Sequence, residues 1–112
     1  IKPVERLATE TNKVRLSRIT VDSARLEEYN AYLKEEIEAS MRLEPGVLVL
    51  YAVAEKERPH HVTILEIYVD EAAYKSHIAT PHFQKYKKET LDMVQSLELV
   101  DTTPLIPGLK IK

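Results

Sequence analysis

Hydrophobic and polar residues alternate along some stretches of the chain and recur every three or four positions along others. Residues 13–22, KVRLSRITVD, alternate and are rich in β-branched side chains, which predicts a first strand. The segment from Asp22 or Ser23, either of which could cap a helix, to the EPG sequence at 44–46 has helical spacing and predicts one long helix. Its apolar face is predicted to comprise Leu26, Tyr29, Leu33, Ile37 and Met41.

The second half of the chain predicts a hairpin, two helices and a last strand. Two apolar strands, 47–55 and 61–70, flank the turn KERPH. Asp70 caps a short helix, Pro81 starts another that is predicted to run to Ser96, and LELVDTT forms the last strand. The order β-α-β-β-α-β is typical of the ferredoxin-like α+β fold, in which helices cover one face of a four-stranded antiparallel sheet.

The predicted domain comprises residues 13–103, between a polar tail at 1–12 and a Pro-rich tail at 104–112. Both faces of its middle strands are largely apolar, although the helices can cover only one of them. At roughly 25 cal/mol per Å², leaving a few hundred Å² of apolar surface in water forgoes several kcal/mol of burial. A homodimer packed sheet to sheet would cover the second face, and the alternative is a structural two-sided sheet covered by the terminal tails.

The composition excludes several classes of function and leaves the compartment open. A net charge of −2 gives no attraction to a phosphate backbone, so we predict no nucleic-acid partner. No apolar run approaches the roughly 20 residues that span a bilayer. Cysteine is absent, which excludes disulfides and thiolate chemistry and suits either redox environment. Because the chain begins with Ile1, a cytoplasmic location and export after removal of a signal are both open.

Glu66 is the first candidate for chemistry, because it interrupts an apolar row of the third strand. Burial of an acid without a partner is costly, and the acids that proteins do bury often transfer protons. The alternative is that Glu66 lies at a rim and pairs with a lysine. Tyr68 shares the face of Glu66, whereas the facing of Tyr51 depends on hairpin register, which the sequence leaves open.

Two histidines, His77 and His82, follow this acid, and His60 and His61 are predicted at the hairpin turn. An imidazole can exchange protons near neutral pH or hold a substrate oxygen, and it can equally be a cap or a satisfied buried side chain. We predict no metal site, since five positions across Pro81 separate His77 from His82 and no HExxH motif occurs. The two glycines form no phosphate loop, and no GxSxG motif marks a serine nucleophile.

Four motifs, taken in order, resemble those of one protein family. They are EPG at 44–46, Tyr51, EIYVDEAAYKSH at 66–77 and TPHFQKY at 80–86. The set resembles the antibiotic biosynthesis monooxygenase domain, in particular its small quinol-monooxygenase-like members, over residues 13–103. The resemblance implies a dimeric α+β barrel with a pocket between sheet and helices in each subunit.

The resemblance also implies oxidation of a small quinol or phenolic compound by molecular oxygen without a cofactor, so no metal, flavin or haem is expected. The deprotonated substrate itself would supply the electrons, in a dry cavity that holds its oxyanion. The implied catalytic residues, which handle protons and orient the substrate, are Glu66, His77 and Tyr68. The implied walls of the substrate pocket are Tyr51, His82, Phe83 and Tyr86.

Two positions depart from the family pattern. Tyr68 occupies a position where the family commonly has tryptophan, so the identity of the substrate stays open. Lys87 occupies the position where haem-degrading relatives have an iron-ligating histidine, which argues against haem chemistry. A second interpretation is an isomerase or proton-transfer enzyme acting on a small carbonyl compound, since a similar domain serves an isomerase of phosphorylated autoinducer-2. A third is a non-catalytic dimeric domain that binds a small ligand.

Overall fold

The structure, a computed structural model, describes residues 12–109. Its strands are β1 Lys13–Val21, β2 Val47–Ala54, β3 His61–Tyr68 and β4 Val94–Thr102. Its α-helices are α1 Leu26–Leu43, α2 Glu71–Ile78 and α3 Pro81–Thr90, with a short 3₁₀ turn, Ser23–Arg25, before α1. Among these helices none combines the length and the apolar character that crossing a membrane requires. The outer parts of the two predicted tails, residues 1–11 and 110–112, lie outside the described residues.

The four strands form one antiparallel sheet in the order β2-β3-β1-β4, which confirms the ferredoxin-like arrangement. In the central pair, Lys13 lies opposite Tyr68 and Thr20 lies opposite His61. Because paired residues point to the same face, the alternation assigns every position of the sheet to one of two faces. The inner face, defined by Ile19, Ile64 and Glu66, is covered by the helices, whereas the outer face is defined by Leu16, Leu65 and Tyr51.

The hydrophobic core fills the end of the molecule where α1 crosses the inner face. Its buried residues come from β1, β3, α1 and the loop before β4, and they are Ile19, Val21, Tyr29, Leu33, Val62, Ile64 and Met93. The prediction for α1 was wrong at its last turn, where Met41 is 46% exposed and Ser40 is fully buried. The buried stripe of α1 runs through Glu36 and Ser40 because these side chains face a polar site on the inner face.

Local capping explains where the helices begin. Asp22, one of the two predicted caps, accepts a hydrogen bond from the Ala24 amide at 3.0 Å and caps the 3₁₀ turn that precedes α1. The Asp70 side chain accepts one from the Ala73 amide at 2.8 Å and caps α2 as predicted. Helix α3 starts at Pro81 as predicted, but it ends at Thr90 and does not reach Ser96. From Val94 onward the chain pairs with β1, so tertiary pairing overrides the helical spacing of this segment.

A register shift between Val47 and Val49 changes which residues of β2 point to the inner face of the sheet. Val47 pairs with Tyr68 and is buried on the inner side, whereas beyond the shift Leu50 pairs with Glu66 and Tyr51 pairs with Leu65. Tyr51 therefore lies on the outer face, where 65% of its surface is exposed. The extra residue is a β-bulge, and it places Val49 and Tyr51 on the face opposite to that of Val47.

The EPG segment and the start of α2 approach each other unusually closely. The Val69 amide donates to the Gly46 carbonyl at 2.9 Å, and a Cβ atom on Gly46 would lie only 2.7 Å from the Cβ of Ala73. A glycine is required at this position because no side chain fits between the loop and the helix. This contact positions Glu44, two residues earlier, beside α2.

Replacement of Gly46 by alanine is expected to destabilise the fold by about 1–3 kcal/mol, because the new methyl group overlaps the Ala73 side chain. Urea unfolding followed by circular dichroism measures the change. Gly108→Ala is the matched control, since nothing lies within 4 Å of its added Cβ, and its effect should stay within about 0.5 kcal/mol. Equal unfolding midpoints for the two variants would show that α2 moves aside freely.

Candidate active site

A cavity of about 380 Å³ lies between the inner face of the sheet and the helices. Its apolar lining includes Ile19, Leu33, Ile37, Leu50, Ile64, Ile78, Phe83, Leu97 and Leu99. Its polar lining comprises Arg15, Ser17, Glu36, Glu66, Tyr68, Tyr74, His77, Gln84, Tyr86 and Lys87. A volume of a few hundred Å³ with apolar walls and a few convergent polar groups is typical of a small-molecule site.

Glu66 is buried at the centre of this cavity wall, and both of its carboxylate oxygens accept hydrogen bonds from hydroxyl groups. Ser17 donates to Oε2, and the Tyr68 hydroxyl donates to Oε1 at 2.8 Å. Among the described residues no lysine or arginine forms a salt bridge with Glu66, so the rim alternative of the sequence analysis does not describe its surroundings. Two fixed hydroxyls hold the carboxylate in one orientation toward the cavity.

Tyr68 is held as a hydrogen-bond donor by its environment. Burial raises the pKa of the Tyr68 hydroxyl, and the adjacent charge of Glu66 raises it further. The hydroxyl therefore keeps its proton and continues to donate to Glu66 at neutral pH. The Tyr68 ring also packs against the rings of Tyr74 and His77, with 5.3 Å between centroids in each case.

A second polar cluster, formed by Glu36, Ser40, Glu44, His77 and His82, lies where α1, α2 and α3 meet. His77 is 2% exposed, and its Nδ1 lies 3.1 Å from Glu44 Oε2, while His82 Nε2 lies 2.5 Å from the same oxygen. On the other side of His77, Nε2 is 3.5 Å from Glu36 Oε2. This polar cluster joins the three helices through side chains that are all at least partly buried.

Glu36 has few hydrogen-bonding partners for a buried acid. Burial raises the pKa of its carboxyl group, while the Ser40 hydroxyl, which donates at 2.7 Å, and the nearby histidines oppose that rise. One donor atom from each of Glu36, His77 and His82 lies within 4.8 Å of the other two. The prediction of no metal site considered only spacing along the chain, whereas tertiary contacts bring these three residues together.

Arg15 forms the cationic end of the cavity. Its guanidinium donates to the Tyr74 hydroxyl at 2.6 Å through Nη1, and its Nε and Nη2 both lie 3.2 Å from Asp101 Oδ1. The guanidinium also lies 4.7 Å from the centroid of the Tyr74 ring. These contacts fix a mostly buried positive charge on the same sheet face as Glu66, its partner in the β1–β3 register.

The far wall of the cavity is fixed by a pair of tyrosines. The hydroxyls of Tyr29 on α1 and Tyr86 on α3 lie 2.5 Å apart, and their rings meet edge to face at 5.9 Å. Burial raises the pKa of Tyr29 to about 12 and also raises the pKa of Tyr86. Both hydroxyls are therefore neutral partners that tie α3 to α1.

This tyrosine pair should make the protein sensitive to alkali. An acid that binds its proton more tightly when folded stabilises the fold below its unfolded pKa, and that stability is lost as pH rises through the folded pKa. Unfolding free energy should therefore fall between about pH 10 and pH 12, by up to about 3 kcal/mol for Tyr29. Urea titrations across this range should show a flatter profile for the double variant Tyr29→Phe/Tyr86→Phe than for the wild type.

The structure brings most of the predicted site residues together. Glu66, Tyr68, His77, Phe83 and Tyr86 all line the cavity, as the resemblance implied for residues of a common pocket. The assignment of their individual roles stays a prediction.

Two predicted pocket residues lie elsewhere. Tyr51 faces the outer side of the sheet, so within one chain it cannot line the cavity that Glu66 faces. His82 bonds to Glu44 and lines a more open depression between α1 and α3. The cause for Tyr51 is the register shift in β2, a feature of strand pairing.

Sequence reasoning missed Ser17, Glu36, Glu44 and Arg15 as parts of the site. Glu36 and Ser40 fall four apart on the buried side of α1, and this spacing is a signal that could have been recognised. Ser17 gave no such signal, because it follows Lys13 and Arg15 in the polar row of β1, whereas Glu66 interrupts an apolar row of β3. Arg15 carried no comparable signal, because it is one of the polar residues that alternate with apolar ones at the start of β1, as on any strand with a solvent-facing side.

The sequence model of the family "Antibiotic biosynthesis monooxygenase" matches residues 14–89. The match runs from near the start of β1 to near the end of α3 and contains every polar residue of the cavity described above. The chain belongs to this family. The ferredoxin-like sheet and the position of the cavity are thus those of a member of the antibiotic biosynthesis monooxygenase family. No functionally curated protein matches the chain.

Solved structures include a similar protein from Bacteroides thetaiotaomicron VPI-5482, provisionally named an antibiotic biosynthesis monooxygenase. It is 84% identical, with a TM-score of 0.90, and the match covers 92% of this chain and 98% of that one. A provisionally named monooxygenase from Lactobacillus acidophilus NCFM is 29% identical with a TM-score of 0.80, and the match covers 82% of this chain and 44% of that longer chain. A protein from Nitrosomonas europaea, 19% identical with a TM-score of 0.81 over 88% of this chain and 94% of its own, shares the fold.

Proposed function

We propose that this member of the family oxidises a small phenol or quinol with molecular oxygen, using Glu66 as the proton acceptor. The observation that carries the proposal is the Glu66 carboxylate, buried in an apolar cavity and oriented by the hydroxyls of Ser17 and Tyr68. A proton acceptor in a water-poor cavity can generate a phenolate, which is a far better electron donor than the phenol.

The reaction balances with oxygen as the only oxidant. A phenol with a free ring position and one O₂ give a quinone and one water, so one oxygen atom enters the ring and the other leaves as water. The ring loses two hydrogen atoms and gains one oxygen, which accounts for the four electrons that reduce O₂. The protein has to remove the phenolic proton, hold the oxyanion and exclude bulk water.

The cavity offers a group for each of these tasks. Glu66 would take the proton, and the positive charge of Arg15 on the same sheet face would stabilise the oxyanion that forms. His77 lies against the rings of Tyr68 and Phe83, at 5.3 Å and 5.1 Å, where its imidazole could exchange a proton with the product. Phe83 and Tyr86 would provide flat walls for an aromatic ring.

The same proposal includes a homodimer packed through the outer face. Apolar side chains continue across this face from β2 to β4, and they are Val49, Tyr51, Val53, Leu65, Ile67, Leu16 and Val100. Tyr51 and Val53 are exposed in the single chain although both are large and apolar. An exposed patch of this kind on a small domain is typical of a protein interface.

Oxygen uptake by chelator-treated, metal-free protein with a panel of hydroquinones and phenols tests the proposed reaction. We expect uptake that depends on substrate and protein, with formation of a quinone. The same panel, extended to small carbonyl compounds, should give no product when oxygen is removed. Product formation without oxygen would assign the chain to the isomerase or proton-transfer class, and the absence of turnover in both conditions would contradict the oxidation.

A further inference from the structure

We propose that Glu36, His77 and His82 form a binding site for a divalent transition-metal ion such as Zn²⁺ or Co²⁺. The three residues come from α1, α2 and α3, and one donor atom from each lies within 4.8 Å of the other two. The site does not include Glu66, and the oxidation proposed above uses no metal ion in any step. It shares Glu36 and His77 with the cavity wall, so a bound ion would occupy the His77 nitrogen that is otherwise free to exchange a proton. An ion here would tie the three helices together at the cavity wall.

The spacing of His77 and Glu36 fits two ligands of one ion. His77 Nε2 and Glu36 Oε2 are 3.5 Å apart, which exceeds the usual hydrogen-bond length of about 2.7–3.2 Å. Two ligands that each lie about 2.1 Å from a tetrahedral Zn²⁺ are separated by about 3.4 Å. The observed gap therefore corresponds to one edge of a coordination tetrahedron.

Glu44 orients His77 for this role. Its carboxylate lies 3.1 Å from His77 Nδ1, and because a carboxylate accepts hydrogen bonds, the imidazole proton is placed on Nδ1. The Nε2 lone pair then points to the side of Glu36. A histidine that donates one ring nitrogen to a carboxylate and offers the other to a metal is the usual arrangement in metalloproteins.

The charges of the polar cluster also favour a cation. Among the described residues neither Glu36 nor Glu44 forms a salt bridge with lysine or arginine, and each contacts only histidines in that way. One divalent ion with two carboxylates and two neutral imidazoles is electrically neutral. Because imidazole nitrogen suits zinc, iron, nickel and copper, this donor set favours a transition metal over Mg²⁺ or Ca²⁺.

The test is titration of the full, tag-free, chelator-treated chain with Co²⁺ and with Zn²⁺, by calorimetry and by the visible absorption of bound cobalt. We expect one ion per chain, with cobalt bands of a low-coordinate site that Zn²⁺ abolishes. Glu36→Gln and His82→Gln should each weaken the affinity by at least about 100-fold. Glu44→Gln removes no proposed ligand but removes the partner of both histidines and one negative charge, and it should weaken the affinity by about 10–100-fold.

The chain provides a matched control in its other two histidines. The double variant His60→Gln/His61→Gln removes two imidazoles from the hairpin, the same number as the proposed site contains, and should leave cobalt binding unchanged. Glu36→Gln keeps the size of the side chain, and its melting temperature shows whether the fold is intact. Absence of saturable binding to the wild type, or equal binding by wild type and folded Glu36→Gln, would overturn the site.

Discussion

Glu66→Gln is expected to lower the turnover number for quinol oxidation by about 10²–10⁴-fold. Glutamine has nearly the same shape as glutamate but cannot accept the phenolic proton. Its amide can still bond to Ser17 or Tyr68, so the cavity should keep its form and KM should change little. Oxygen-electrode assays under saturating substrate measure the loss, and thermal unfolding confirms that the variant is folded.

Glu98→Gln is the matched control for this variant. Glu98 lies on β4, exposed to solvent, and forms a surface ion pair with Arg18 at 3.6 Å. Such pairs contribute little, so turnover should equal that of the wild type. If both Glu66→Gln and Glu98→Gln retain the wild-type turnover number, another group must be the proton acceptor. His77 would then be the next residue to test.

Leu65→Lys is expected to convert the proposed dimer into monomers. Leu65 lies in the middle of the outer face, paired with Leu16 on one side and with Tyr51 on the other. Burial of an unpaired ammonium group in an apolar interface costs several kcal/mol, and a two-fold interface contains the substitution twice. Each 1.4 kcal/mol or so changes the dissociation constant tenfold, so a weakening of about 10³-fold or more is expected.

Sedimentation of the wild type and the variant over a range of concentrations measures this change. Leu43→Lys is the control, since Leu43 is 60% exposed at the end of α1 and lies away from the sheet. A wild-type chain that stays monomeric at the highest concentration would contradict the homodimer and favour coverage of the outer face by the terminal tails. A dimeric Leu65→Lys would instead place the interface elsewhere on the surface.

The order of helices and strands could be predicted because each element has a strong local signal. Asp22, Asp70 and Pro81 mark the starts of the 3₁₀ turn, of α2 and of α3, and the two-sided apolar pattern of β2 and β3 is visible without any tertiary contact. The end of α3 could not be predicted in this way. Residues 91–96 have acceptable helical spacing, and only their pairing with β1 decides that the chain becomes a strand at Val94.

The part of the candidate site that could be predicted is the pair of residues that lie on the same strand. Glu66 and Tyr68 are two positions apart on β3, and this alone places them on one face. The facing of Tyr51 depends on the bulge in β2, and the union of Glu36 with His77 and His82 depends on how three helices pack. Contacts between distant segments carry no local signal, so these features required the structure.

The inner face of the sheet lines the cavity and the outer face is the one assigned to the proposed dimer, and the period of a strand separates the two. Along β3 the even-numbered residues, such as Ile64 and Glu66, point into the cavity, and the odd-numbered ones, such as Leu65 and Ile67, point away from it. Substitution of an even-numbered residue can therefore alter ligand preference without changing the outer face. A family member that changed only its inner-face residues would alter its ligand preference while the proposed interface stayed the same.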